Sequence, residues 1–370
     1  MRRWDVYRGQ RFGNSRLPAV LLFVAVFLLL AFVVLFFTLP GYLVYTRDEV
    51  HLDLPFLRGE TAEPEETGTE PEETLTIEEA VAEIEVKSPD YSHLALANDG
   101  EGLEIIQSVY VPYEQVNDAG LTKAVGQARA LEAGGLTLEL SDETGVLLWV
   151  SETDTAVNYA LNGTLDLSGT VEQLKSQGYY LTAVISCCVN STLVSRNPTL
   201  ALTGAGGYVY SDQRGAWMDP WNADVRQYTI DLTKELMEMG FDEVVLNHVE
   251  HPTTEVGYTR TMSGELTRTS CVTNFAIAVR KAVQETMDAT GARLSAMMDT
   301  TALNDETVDN GQSLAYFLQI FDRVYEFTET YSEANQVIAL HVDSTERFVP
   351  IISWTFPGGS WAQNFFESVN

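Results

Sequence analysis

Four carboxylates stand at or near the ends of short apolar runs in this chain: Glu139, Glu250, Asp299 and Glu326. Two carboxyl groups facing each other across a bond can divide acid–base work. One donates a proton to the leaving oxygen, and the other attacks the reacting carbon or activates water. These four are the candidate catalytic set. Trp217, Asp219, Asn247 and His248 are the candidate substrate-binding set. A flat Trp ring can stack on an apolar ligand face. An Asn amide neither ionises nor attacks, but it can hydrogen-bond a hydroxyl. Tyr208, Tyr210, Trp221 and Trp354 add further rings near the same segments.

Each residue also has a plainer reading. Asp142 to Gly145 suits a β-turn with Asx chemistry. Glu250 suits a loop charge or an ion pair with Arg260. Asp299 suits a cap or turn, and Trp217 or Trp221 suits packing. His248 and His251 flank Glu250, but their spacing fits no standard zinc motif, and no metal or cofactor is expected. Cys187, Cys188 and Cys271 give no metal or disulfide framework. Neighbouring residues on a strand face opposite ways, so Cys187 and Cys188 are poor partners.

The elements that must position these groups alternate. The pattern predicts strands over 109–111, 136–140, 181–186, 243–247, 294–298, 323–327, 336–341 and 348–354. Helices are predicted over 121–132, 167–177, 224–239 and 274–290, with a short closing helix over 361–369. Alternating strand and helix means a parallel sheet, and eight repeats favour a closed ring. Residues 187–222 and 251–273 form long connections after the third and fourth strands. Loops of that length in a compact domain are usually functional or disordered. In a barrel they leave the face where chemistry sits.

The stretch 217–252 is the most specific. Asp219-Pro220-Trp221-Asn222 reads as a turn and N-cap. Val225, Tyr228, Leu232, Leu236 and Met239 then recur at helical steps, and Gly240 ends the helix. A strand from Glu243 opens onto Asn247, His248, Glu250 and His251. This segment resembles a family of bacterial barrels described as putative glycoside hydrolases, formerly a domain of unknown function. That family carries a W-L-D-P-Y-N-like turn, a helix, G-F-D-E, and a strand ending near F-D-Y-V-R-F-P. Trp217, Asp219, Pro220, Asn222, Gly240, Phe241, Asp242, Glu243, Val249 and Pro252 match. Asn247 stands where the family has aspartate, His248 where it has tyrosine, and Glu250 where it has arginine. Near the second strand the family reads D-V-K-D-D-D-G; Glu139 and Asp142 keep acids, and Ser141 replaces the lysine. Near the fifth it reads L-S-A-D-V-F-G; Met297 occupies the acid position, and Asp299 follows two residues later, on the same strand face.

The resemblance implies an α/β fold, a (β/α)8 TIM barrel, with carbohydrate or cell-envelope glycan as ligand. The altered fourth and fifth strand ends imply weak or no hydrolysis. The alternative is an active glycoside hydrolase drawing its acid and base from Glu139, Glu250, Asp299 and Glu326. A second alternative is a membrane-tethered structural protein.

Composition frames this. The chain has 370 residues and a formal net charge of −31, with 53 acidic against 22 basic residues. Nucleic acid is excluded as a partner, since its binding needs clustered Lys and Arg. Arg2, Arg3, Arg8, Arg11 and Arg16 precede an apolar run over 19–39, long enough for a ~30 Å hydrocarbon core. The basic flank predicts a cytoplasmic tail over 1–18, and the run predicts an uncleaved signal-anchor helix. From 59 to 86 there are eleven glutamates and no Lys or Arg. Glu63-Pro64-Glu65-Glu66-Thr67 recurs as Glu70-Pro71-Glu72-Glu73-Thr74. Residues 40–107 are therefore expected to form an extended, acidic linker and lead-in outside the cell membrane. The barrel is expected over 108–370.

Overall fold

The structure is a computed structural model that describes residues 43–45, 50–52, 102–204, 206–253, 267–299, 309–328, 345–353 and 359–365. The chain divides into two units, Met1–Glu83 and Ile84–Asn370. In the first, Leu43–Tyr45 pairs antiparallel with Val50–Leu52. The expected span over 19–39 and the acidic repeats lie outside the described residues. No described helix is long and apolar enough to cross a membrane.

The second unit is a closed barrel of eight parallel strands in chain order. They are β1 Gln107–Val111, β2 Gly135–Glu139, β3 Tyr180–Ser186, β4 Glu243–Asn247, β5 Arg293–Met298, β6 Val324–Phe327, β7 Phe348–Ile352 and β8 Trp361–Asn364. The principal helices are α1 Asp118–Ala130, α2 Leu167–Ser176, α3 Ala223–Met239, α4 Arg268–Thr290 and α5 Leu314–Ile320. Two sequence expectations are corrected at the seam. The stretch 348–352 is the seventh strand rather than the eighth, and the eighth is Trp361–Asn364, where a closing helix was expected. The expected strand over 336–341 lies outside the described residues. β8 pairs with β7 at Ile351↔Ala362 and with β1 at Trp361↔Gln107, which closes the ring. Four residues carry too little periodicity to separate strand from helix. Only the two open edges on either side, each needing backbone partners, decide it.

Alternation along the strands builds two cores. Val109, Leu136, Leu138, Val244, Leu246 and Leu294 face outward and pack with the helices. Tyr110, Val184, Val245, Met297, Tyr325, Val349, Ile351 and Ala362 form a separate interior cluster. Below that cluster, towards the strand starts, lies a polar floor. Glu243 accepts from Arg323 Nη1 at 2.9 Å, from Tyr180 at 3.0 Å, and from Ser295. The remaining guanidinium donors of Arg323 reach the Glu346 and Glu104 carbonyls at 3.0 and 2.8 Å. Both Glu243 and Arg323 are buried.

The Gly240-Phe241-Asp242-Glu243 quartet is explained residue by residue. Gly240 caps α3 at φ 109°, in the left-handed region. Phe241 enters the outer core. Asp242 accepts the Leu181 N–H at 2.8 Å and sets β4 beside β3. Glu243 supplies the floor. A side chain at Gly240 would be strained by the backbone and would meet Val171 at 3.4 Å. Gly240→Ala is expected to cost about 1–2 kcal/mol, checked by urea unfolding. An unchanged midpoint would contradict the cap's role.

Candidate functional site

Above the interior cluster, at the C-terminal ends of the strands, lies a cavity of about 600 Å³. Strand parity explains what reaches it. Thr137 and Glu139 share a face of β2; Val245 and Asn247 share a face of β4; Tyr325 and Phe327 share a face of β6. Asp299 follows Met297 by two residues and emerges at the same mouth. Glu139, Asn247, His248, Glu250 and Asp299 therefore line one cavity. Three other expected site residues do not. Glu326 lies between Tyr325 and Phe327 in strand parity, points to the opposite face, and is buried; contrary to expectation it does not line the described mouth, because neighbouring strand residues face opposite ways. Trp217 is fully buried with Val189 and Leu202. Asp219 accepts the Trp221 N–H at 2.9 Å, and its carbonyl accepts the Asn222 N–H at 2.9 Å. It shapes the entrance to α3.

Glu139 sits at the end of β2 and accepts the Tyr113 N–H at 3.0 Å. Its carboxyl is pushed up to about 7, by burial first, with the Tyr113 N–H opposing and the nearby Glu143 charge adding to the rise. Glu250 is also raised to about 7, by burial first, although Arg214 opposes the shift. Asn310 Nδ2 donates to its second oxygen at 2.9 Å. His248 has φ 53°, in the left-handed region. The Asn247 side chain accepts the His248 N–H at 2.8 Å and supports that turn. Burial first, and the Arg214 charge second, lower the imidazole to about 4.

Arg214 was not anticipated. It sits in a hairpin turn between Ser211–Asp212 and Gly215–Ala216, and Asp212 Oδ1 accepts its N–H at 2.9 Å. Its Nη1 donates to Glu250 Oε1 at 2.6 Å and to Asp299 Oδ2 at 3.2 Å. The guanidinium lies 4.8 Å from the centre of the Trp217 ring. Trp217 thus props the arginine. The partner suggested for Glu250 from sequence, Arg260, lies outside the described residues. The Asp212-Gln213-Arg214-Gly215 run carried a turn signature, but nothing local indicated where the turn lands.

Aromatic rings complete the wall. Tyr110, Tyr113 and Phe327 line the cavity. Phe327 is 41% exposed and meets Tyr110 edge-on, with ring centres 5.3 Å apart. Among the described residues, no three His, Cys, Asp or Glu side chains are grouped as metal ligands. Cys187, Cys188 and Cys271 are buried free thiols.

A closed parallel (β/α)8 barrel with a carboxyl-lined, aromatic-walled mouth at its strand ends is an architecture that hosts many chemistries, and the site alone distinguishes them. The model of the family described as "Putative glycosyl hydrolase domain" matches residues 108–326, and the chain belongs to that family. Comparison with curated proteins gives no match. Among solved structures, the glycoside hydrolase domain of PgaB (BpsB) from Bordetella bronchiseptica is 14% identical with a TM-score of 0.53, covering 67% of this chain and 84% of that one. A hypothetical protein from Ruminiclostridium thermocellum is 21% identical with a TM-score of 0.45, covering 51% of this chain and 96% of that one. Aspergillus fumigatus Ega3, solved in complex with galactosamine, is 11% identical with a TM-score of 0.40, covering 68% and 78%. At these identities the likeness speaks to the fold alone.

Proposed function

We propose that this barrel binds carbohydrate at its mouth and hydrolyses it weakly or not at all. One observation carries the reading: a single guanidinium bridges Glu250 and Asp299. These are the cavity carboxyl groups closest in sequence to Asn247 and Met297, which replace the acids of the resembling family. A carboxylate held in an ion pair is not a free nucleophile, and its partner opposes the protonation that a general acid needs. Loss of general acid–base help alone costs 10²–10⁴-fold in rate. The exposed Phe327 ring and the Tyr110 and Tyr113 rings offer apolar faces for a sugar, and the Asn247 amide and carboxylates offer polar partners.

A second reading, an active glycoside hydrolase, is favoured by Glu139. It shares the cavity with Glu250, and both carboxyl groups titrate near neutrality, as an acid–base pair requires. The full chain incubated with a panel of oligosaccharides separates the two. Binding without new reducing ends is the expected result. Release that disappears in Glu139→Gln or Glu250→Gln would establish the hydrolase. No binding to any glycan would favour a structural part instead.

The location belongs to the same proposal. Residues 19–39 anchor the chain in the cell membrane with the N-terminus cytoplasmic, and the acidic linker carries the barrel outside, where cell-envelope glycan is at hand. Membranes washed with alkaline carbonate should retain the full chain and should lose a form lacking residues 19–39.

A further inference from the structure

Resting on the carbohydrate reading of the cavity, we propose that its ligand carries a free, protonated amino group: a cationic amino sugar instead of a neutral or N-acylated one. The first observation is charge. Among the described residues lining the cavity, Glu114, Glu139, Asp142, Glu143, Glu250 and Asp299 face a single cation, Arg214. That guanidinium is already committed to Glu250 and Asp299. Glu139 keeps its proton in mildly acid conditions, and the other carboxylates of that wall, Glu114, Asp142 and Glu143, have no cation facing them among the described lining residues.

The second observation is independent of charge and identifies a seat for the amine. The Ser186 hydroxyl spends its only proton on the Val189 carbonyl, at 2.7 Å. It must therefore accept at its other contact, 3.0 Å from His248 Nδ1. This places the imidazole proton on Nδ1 and leaves a lone pair on Nε2. The His248 side chain is 9% exposed, and Nε2 lies 3.6 Å from Glu143 Oε1. With the ring neutral, that approach sets one acceptor against another and makes no hydrogen bond. Both residues line the cavity. A group placed ~2.8–3.0 Å from each atom must donate at least two hydrogens. A sugar hydroxyl has one, and an N-acyl nitrogen has one. An ammonium has three, and its charge suits the carboxylate.

Calorimetric titration of the full chain in mildly acid buffer tests this. The probes are glucosamine oligomers, N-acetylglucosamine oligomers and cello-oligomers of equal length, with trilysine as a non-sugar amine. The amino oligomer is expected to bind at least about tenfold tighter than the other two sugars. Glu143→Gln, a change at a half-exposed carboxylate, should remove most of that preference. Glu172→Gln, on the exposed face of α2, should not. Equal binding of the neutral sugars overturns the amine assignment and leaves the carbohydrate reading intact. Equally tight, Glu143-dependent binding of trilysine overturns the sugar part. A preference untouched by Glu143→Gln reduces to bulk charge and also overturns the proposal. Failure of every sugar to bind overturns both readings.

Discussion

Replacing Arg323 by methionine should lower the melting temperature of the barrel by roughly 10 °C. The guanidinium is buried on the barrel floor, and Glu243 beside it is fully buried. Removing one member of such a pair leaves a charge in low dielectric with nothing to offset it, at a cost of about 3–5 kcal/mol. For a domain of this size each kcal/mol moves the midpoint by about 2–4 °C. Tyr180 and Ser295 would still donate to Glu243, but two neutral donors do not balance an ionised carboxylate. The companion change tells charge from packing. Adding Glu243→Gln to Arg323→Met removes the stranded charge and should recover a substantial part of the loss. If the double variant is as unstable as the single one, packing around the Arg323 stem sets the cost. Scanning calorimetry of the three variants checks both outcomes.

Arg214→Met should destabilise the chain by about 2–3 kcal/mol at neutral pH, toward the lower end for a buried pair because the arginine side chain is 30% exposed. The pH dependence follows from Glu250. Its folded carboxyl titrates near 7, above the unfolded value of about 4.3. A raised carboxyl pKa means that the folded chain holds the proton more tightly. Its stabilising effect is therefore present in acid and is lost as pH rises through 7. Without the guanidinium that opposes this shift, the loss on going from pH 5 to pH 8 should deepen. Urea unfolding across that range measures it, and a penalty independent of pH would exclude Glu250 as its source. The same variant bears on function. If Arg214 is what holds the mouth carboxylates silent, Arg214→Met should show more reducing-sugar release than the parent chain, even while less stable.

The helical stretch before Gly240 was legible because its cause is local. Apolar side chains at three- and four-residue steps need one buried face, and Val225, Tyr228, Leu232 and Leu236 are buried. The β4 bounds were equally clear, since a short apolar run between Gly240 and Asn247 has one reading. Eight parallel strands followed from repeated alternation. β8 did not, because Trp361–Asn364 is a strand only where β7 and β1 offer their edges.

The mouth divides in the same way. Glu139, Asn247, His248, Glu250 and Asp299 were visible because each follows the end of an apolar run, and strand direction brings those ends to one face. Glu326 was placed in the right strand but on the wrong face, because neighbouring strand residues point opposite ways. Arg214 was invisible because it reaches Glu250 from 36 residues upstream. Its landing point depends on Trp217 beneath it and on the barrel that Trp217 packs against. Periodicity, caps and turn residues thus settled the parallel barrel class and the bounds of α3 and β4, while the closing strand waited on its neighbours. Which charges meet, and so which carboxylates stay free to act, was decided only when the ring closed, because such pairings depend on distances between segments remote in the chain.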